Sequence, residues 1–332
     1  MFPIQDGGSA VRIQSDVSSG PRLCPAESAN RALWSSVKGL VYRNADNADL
    51  RMLRMELKSG NWRALSTWLA LGCTKVSWII FKLSGRTLVE AWVLLTHRNF
   101  GLPLECVRIH RRTSGEPVDG GLFRFTVDCA REFGSRELFC SFSADFSQRA
   151  LLADLGFNPW REVCRYESSV GMVPTIHGYR TVEARRFARA EIISLIEQVS
   201  EFSDDSQTIH FRQMLGTFAD ATLTLEMLEL VPHDDTWWVV ALDSNGQKIG
   251  LILPVLNYGE LTIGFVGVIP AFRGQGIASG LLKTLFPIAR RSGHSVICAE
   301  VDRRNTSMQK ALVRDDFQLT FCKQEWRLVI AA

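Results

Sequence analysis

A chain of 332 residues is longer than one compact core normally grows, and 46% hydrophobic with 22% charged residues is enough for packed cores, which excludes wholesale disorder. Its 38 basic and 35 acidic residues leave a net charge of +3, too small a field to gather nucleic acid or an anionic membrane surface. The eight cysteines include no Cys-x-x-Cys pair and no window reaches the roughly 18 apolar residues of a membrane span. Buried free thiols, no metal, no membrane or nucleic-acid partner and a cytoplasmic, reduced setting are therefore expected.

In chain order, residues 1–38 are small and polar without periodicity and read as a flexible tail. A strand is expected at 40–43, helices at 48–58 and 62–71, and strands at 76–83, 88–95 and 105–111. A helix at 122–133, a strand at 137–142, a helix at 148–155 and a strand at 161–168 follow. Gly171 and Pro174 interrupt the pattern and mark a boundary. Beyond it come a strand at 179–184, helices at 189–202 and 209–215, and strands at 237–242, 249–255 and 261–268. The first two of those strands are joined by Asp243-Ser244-Asn245-Gly246, whose Asn-Gly pair suits a tight turn. A helix at 277–292, a strand at 295–301, a helix at 306–314 and two final strands ending at Ile330 close the chain.

The two halves repeat one order of elements. An offset of 159 places Gly115 on Gly274, Gly121 on Gly280, Leu122 on Leu281, Ala130 on Ala289, Arg131 on Arg290 and Gly134 on Gly293, and an offset of 160 places Phe157 on Phe317. The expected organisation is a first domain over 39–170 and a second over 175–332.

The second half carries the chemistry. A β-rich run, 261–268, is stopped by Pro270, and the turn Arg273-Gly274-Gln275-Gly276 opens onto the helix beginning Ile277-Ala278. Glycines at such a turn let the main chain approach a phosphate, the first N–H groups of the helix face it, and Arg273 can add a cation. A plain strand-to-helix turn would also use glycine. A dinucleotide site is the other reading, with Glu300 as its ribose contact, but there the first glycine follows the strand almost at once. Here five residues separate Val268 from Gly274.

The run from Val268 to Ala278 resembles the acetyl-CoA signature of the GNAT superfamily of N-acetyltransferases. Arg273, Gly276 and Ala278 fill its three defined positions, and Asn305 and Phe317 match the ends of its second signature. The resemblance implies an α/β fold of the α+β type, with two tandem domains, each a mixed, mostly antiparallel twisted sheet flanked by helices. It implies acetyl-CoA as cosubstrate, held by Val266, Gly267, Val268, Arg273, Gly274, Gln275, Gly276, Ile277, Ala278 and Asn305, with a helix cap as the other reading of Asn305. The main chain at 266–268 would polarise the thioester carbonyl.

The candidate general base is Glu260, at the start of the same strand; an exposed strand-end carboxylate is its other reading. The family's usual acid, a Tyr in the helix after Asn305, is replaced by Leu312, and Asp316 stands where the family has Gly. Tyr258 or a water is then the candidate acid, or the thiolate leaves without one. The first half has Ser114-Gly115-Glu116-Pro117-Val118-Asp119 in place of the loop, with two acidic side chains and a proline that removes an N–H, so it is expected to have lost the cosubstrate. The expected activity is transfer of an acetyl group to a primary amine at one site; a non-catalytic acyl-CoA sensor and a longer acyl donor are the alternatives. No segment carries an acceptor code, so a small molecule or a peptide amine fits equally, and nothing specifies an oligomeric state.

Overall fold

The computed structural model describes the main chain of four upstream strands, the helix at 120–132, and residues 136–143, 149–170, 179–257 and 259–330. The helices expected at 48–58 and 62–71, the loop at 114–119 and Tyr258 lie outside the described residues.

The strands are β1 (Leu40–Asn44), β2 (Thr74–Ser84), β3 (Thr87–His97), β4 (Leu104–Arg111), β5 (Glu137–Ser143) and β6 (Asn158–Ser169), with helices α1 (Gly120–Glu132) and α2 (Arg149–Asp154) between them. The second half contributes β7 (Arg180–Glu183), α3 (Arg189–Val199), α4 (Ser206–Leu215), α5 (Thr217–Leu230), β8 (Val239–Leu242), β9 (Lys248–Asn257) and β10 (Glu260–Val268). It ends with α6 (Ile277–Lys283), α7 (Leu285–Arg291), β11 (Val296–Asp302), α8 (Thr306–Arg314) and β12 (Gln318–Val329).

All these strands join one sheet in the order β1-β2-β3-β4-β5-β12-β6-β11-β10-β9-β8-β7, antiparallel except for β4 with β5 and β10 with β11. The closing strands are exchanged: β6 lies between β12 and β11, and β12 lies between β5 and β6. The sheet thus combines strands that precede and follow the expected boundary at 170–175. Val163 pairs with Lys323, its own counterpart at the offset of 160, so the strands meet about a pseudo-two-fold.

Three cores flank the sheet. Leu281, Leu282, Leu285 and Ile288 pack on Leu261, Ile297, Ala299 and Val301 on one face. On the other face Ile192, Leu195 and Ile196 of α3, with Leu225 and Leu228 of α5, cover Val240, Leu251 and Leu253. Phe123 and Val127 of α1 cover Leu138, Trp326 and Leu328.

Four expectations are corrected. The helix expected at 277–292 is two helices, because Pro287 has no N–H to bond the carbonyl of Lys283, and Thr284 turns its hydroxyl back onto the carbonyl of Leu281 (2.6 Å). The two final strands are one, carrying irregularities at Leu319/Phe321 and Glu325/Trp326 that break its alternation. Helix α5 was not expected: Thr222-Leu223-Thr224-Leu225 alternates like a strand, and packing against α3 overrides that local pattern. The expected free thiols are also corrected at two positions, where Cys164 of β6 and Cys322 of β12, facing one another across the closing strands, form a disulfide. Cys140 and Cys298 are buried and take no part in that disulfide.

Candidate active site

The site begins with a proline in a central strand. Pro254 of β9 is opposite Ile263, and there the ladder slips by one residue, so that Leu253 faces Phe265 and Gly264 is left in a bulge. A proline in a sheet interior is tolerated at such a bulge, and only glycine fits it. A Cβ on Gly264 would lie 2.6 Å from Leu228 Cδ2 and 2.8 Å from the carbonyl of Leu253.

The bulge redirects β10. Its parallel pairing with β11 covers only Leu261↔Ile297 and Thr262↔Cys298, while its other edge follows β9 to Val268↔Gly250. From Ile263 to Val268 the edge facing β11 therefore has no strand partner among the described residues. A cavity of about 480 Å³ occupies the splay, within the usual size of ligand pockets.

The loop after β10 closes one end of the cavity. Ile269 donates to the carbonyl of Ile249 (2.9 Å), and Pro270–Phe272 form a short 3-10 turn. Gly274 and Gly276 then take φ of +77° and +79°, a conformation open to glycine. Gly276 is the residue before α6, and a Cβ at either glycine would meet nothing within 4 Å, so the space above the loop is free for a ligand. Gly280, one turn on, has a different reason: its missing Cβ makes room for the Tyr179 hydroxyl, which donates to the carbonyl of Ile277 (3.1 Å). Burial, with Asp315 nearby, pushes that phenol up to about 12.

The residues expected from sequence separate into groups. Val266, Gly267, Val268, Arg273, Gly274, Gly276, Ile277, Ala278 and Asn305 all line the cavity; Gln275, next to them, is exposed and does not. Asn305 is also the cap of α8, accepting the N–H of Met308 (3.1 Å).

The side chain of Arg273 is spent on the protein. Its guanidinium donates to the carbonyls of Val268 (3.1 Å), Val199 (2.9 Å), Glu201 (2.6 Å) and Phe202 (3.3 Å), tying the glycine loop to the end of α3. Burial lowers its pKa from the ordinary guanidinium value. This fork is a clamp, and the other positive charges among the described residues that line the cavity are Lys310 and Arg314, a turn apart on α8.

Glu260 lies outside the cavity lining. Its carboxylate accepts from Arg165 of β6 (2.8 Å), and its neighbour Cys298, buried beneath the pair, has its thiol pushed up to about 11 by burial. Leu312 lines the cavity and is fully buried in the core.

Sequence reasoning missed the opposite wall, made by the α3–α4 connection. Phe202, Ser203, Asp204 and Asp205 line the cavity there, with Glu300 of β11 across from them. Phe202 combines a φ of +52° with 83% exposure, a strained placement that the Arg273 clamp on its carbonyl helps to hold. Asp205 accepts the N–H of Thr208 (2.9 Å) and lies 3.6 Å from Arg161 of β6. The bulge was not expected either; its signal is a proline in an apolar strand, Pro254, followed by a strand with an internal glycine, Gly264.

Residues 198–314 match the model of the acetyltransferase (GNAT) family. The carboxy-terminal half carries a GNAT-family domain. Among solved structures the chain is similar to a GCN5-related N-acetyltransferase from Sphaerobacter thermophilus, with a TM-score of 0.63 at 17% identity, covering 89% of this chain and 97% of that one. It is also similar to a tandem GNAT protein from the clavulanic acid biosynthesis pathway, with a TM-score of 0.60 at 13% identity over 88% of this chain and 99% of that one. A glucosamine N-acetyltransferase region of a fungal multi-domain β-N-acetylglucosaminidase has a TM-score of 0.55 at 13% identity, covering 89% of this chain and 38% of that one. These likenesses show the fold: a mixed α/β architecture with an open, twisted, mostly antiparallel sheet flanked by helices. No curated protein matches the sequence. A GNAT-family domain supports an acyltransferase of the acyl-CoA-dependent class, and among the described residues no helix is long and apolar enough to cross a membrane.

Proposed function

We propose that the protein is an N-acetyltransferase that moves an acetyl group from acetyl-CoA to a primary amine, with one active site in the splay between β10 and β11. The observation that carries this reading is the cavity itself, bounded by a positive-φ glycine loop at one end and by an unpartnered strand edge along its side. An extended pantetheine arm can add to such an edge as a strand would, through main-chain groups at 266–268. Main-chain N–H groups of Gly274–Ala278 would hold the pyrophosphate, and Lys310 and Arg314 would supply its countercharge. The same strand edge donates to the thioester oxygen as negative charge develops there.

The two halves are read as tandem copies, the first without a phosphate cradle. The acceptor is a small-molecule or peptide amine. Acetyl-CoA should raise the melting temperature of the full chain, and a panel of primary amines should release free CoA; no thermal shift at saturating acetyl-CoA overturns the reading.

A second reading, an acyl-CoA-binding sensor without turnover, is favoured by Leu312, a hydrocarbon in the cavity wall where the family's acid would stand. Binding of acetyl-CoA without CoA release on any amine selects it. Mass spectrometry of the co-purified thioester separates acetyl from longer acyl donors.

A further inference from the structure

We infer that Glu300, and not Glu260, is the general base that receives the acceptor's proton. This rests on the acyl-transfer reading above.

The cavity passes through the sheet. Ile277, Ala278, Met308 and Leu312 line it from the α6–α8 face, and Phe202 to Asp205 line it from the α3–α4 face. The cradle and the cations of α8 occupy the first face, so the acceptor arrives from the second. On β11, Ile297, Ala299 and Val301 are buried under α6 and α7. Strand alternation therefore turns Cys298, Glu300 and Asp302 to the acceptor's side. Cys298 is the last residue of β11 in register with β10, so Glu300 projects from the strand where the two strands begin to part.

The other carboxylates on this side are committed or distant. Asp205 caps α4 and faces Arg161. Asp302 is 1% exposed and accepts the N–H groups of Ser206 (2.9 Å) and Arg304 (2.8 Å). Asp204 sits on the connection rather than on a strand, and Glu260 is held by Arg165 away from the cavity lining. Glu300 lines the cavity on a rigid strand. One of its oxygens accepts from Lys323 (2.9 Å), the other accepts from no described residue, and its side chain is 37% exposed, which gives the proton an exit to water.

The step balances. An ammonium acceptor gives one proton to Glu300, and its nitrogen lone pair forms the new bond to the thioester carbon. The carbon–sulfur bond then breaks with its electron pair on sulfur, and the second nitrogen proton passes to the thiolate. The products are the amide and CoA thiol, and Glu300 releases its proton to solvent.

The test uses the full chain, acetyl-CoA and whichever primary amine of a panel gives the fastest CoA release. Glu300→Gln should lower kcat about 100-fold, abolish the acid limb of the pH–rate profile, and leave the acetyl-CoA-induced melting shift at the wild-type value. Glu300→Asp, a shorter carboxylate, should recover part of the rate and the limb. A Glu300→Gln enzyme within threefold of wild type, or a loss that falls on Glu260→Gln instead, overturns the assignment while the acyltransferase reading stands. A wild-type chain that releases no CoA with any amine overturns both.

Discussion

The sheet contains two parallel strand pairs, and they end differently. β4 meets β5 over Leu104–Cys106 with Leu138–Cys140, and β10 meets β11 over Leu261–Thr262 with Ile297–Cys298. Both pairs part after two or three residues and lead to a helix, α1 or α6, that packs against the sheet. Only after β10 does the connection read Arg273-Gly274-Gln275-Gly276-Ile277-Ala278; after β4 the corresponding run is Ser114-Gly115-Glu116-Pro117-Val118-Asp119. On the proposed reading one frame is kept with or without anion chemistry, because the frame depends on buried apolar positions and the chemistry on a few main-chain conformations in a loop.

The largest expected effect comes from giving the second loop the residues of the first. Gly276→Pro demands a φ near −65° where the chain holds +79°, and Ala278→Asp adds a negative charge to the cavity wall without disturbing the main chain. Each should abolish the melting shift caused by acetyl-CoA, about 2.7 kcal/mol at a ligand concentration of roughly 100 Kd. A retained shift in Ala278→Asp breaks the comparison.

Next comes the seam where the closing strands of the two halves adjoin. The Cys164–Cys322 link spans 158 residues of sequence and should stabilise the chain by about 3 kcal/mol through loss of unfolded-state freedom. Urea unfolding of wild type with and without reductant should show that difference, and a Cys164→Ala/Cys322→Ala chain should show none.

The carboxy-terminal half also carries an electrostatic cost. Asp220, 4% exposed in α5, has its carboxyl pushed up to about 6 by burial, with Arg212 acting in the opposite direction. The folded state then holds this proton more tightly than the unfolded state, so stability falls as pH rises from about 4 to 6 and the cost is complete at pH 7. Asp220→Asn should remove that slope and raise stability at pH 7 by on the order of 2 kcal/mol, measured by denaturant unfolding across pH.

The smallest effect concerns the clamp. Arg273→Ser, which installs the residue found at that place in the first half, should cost about 1 kcal/mol in unfolding free energy. It should also speed amide hydrogen exchange in residues 200–205, a segment in which the guanidinium now holds the carbonyls of Glu201 and Phe202.

The glycine loop and the order of strands were legible because φ-demanding glycines and period-two apolar runs are local signals. Arg273 was legible as a motif residue but not in its role: its four carbonyl partners lie up to 74 residues away in sequence, and only the fold brings them near. The strand exchange left no local mark either, since β6 and β12 have the same pattern whichever half they join. Helix α5 was hidden by a Thr-Leu alternation that packing overrules. Glu300 was visible only as a possible ribose contact, because its place beside the splay depends on the bulge at Gly264.

Isothermal titration of the full chain with acetyl-CoA tests the central claim, one phosphate cradle in a doubled frame, most directly. The account predicts one molecule bound per chain and none in Ala278→Asp. Two molecules per chain, or unchanged binding in Ala278→Asp, would contradict it.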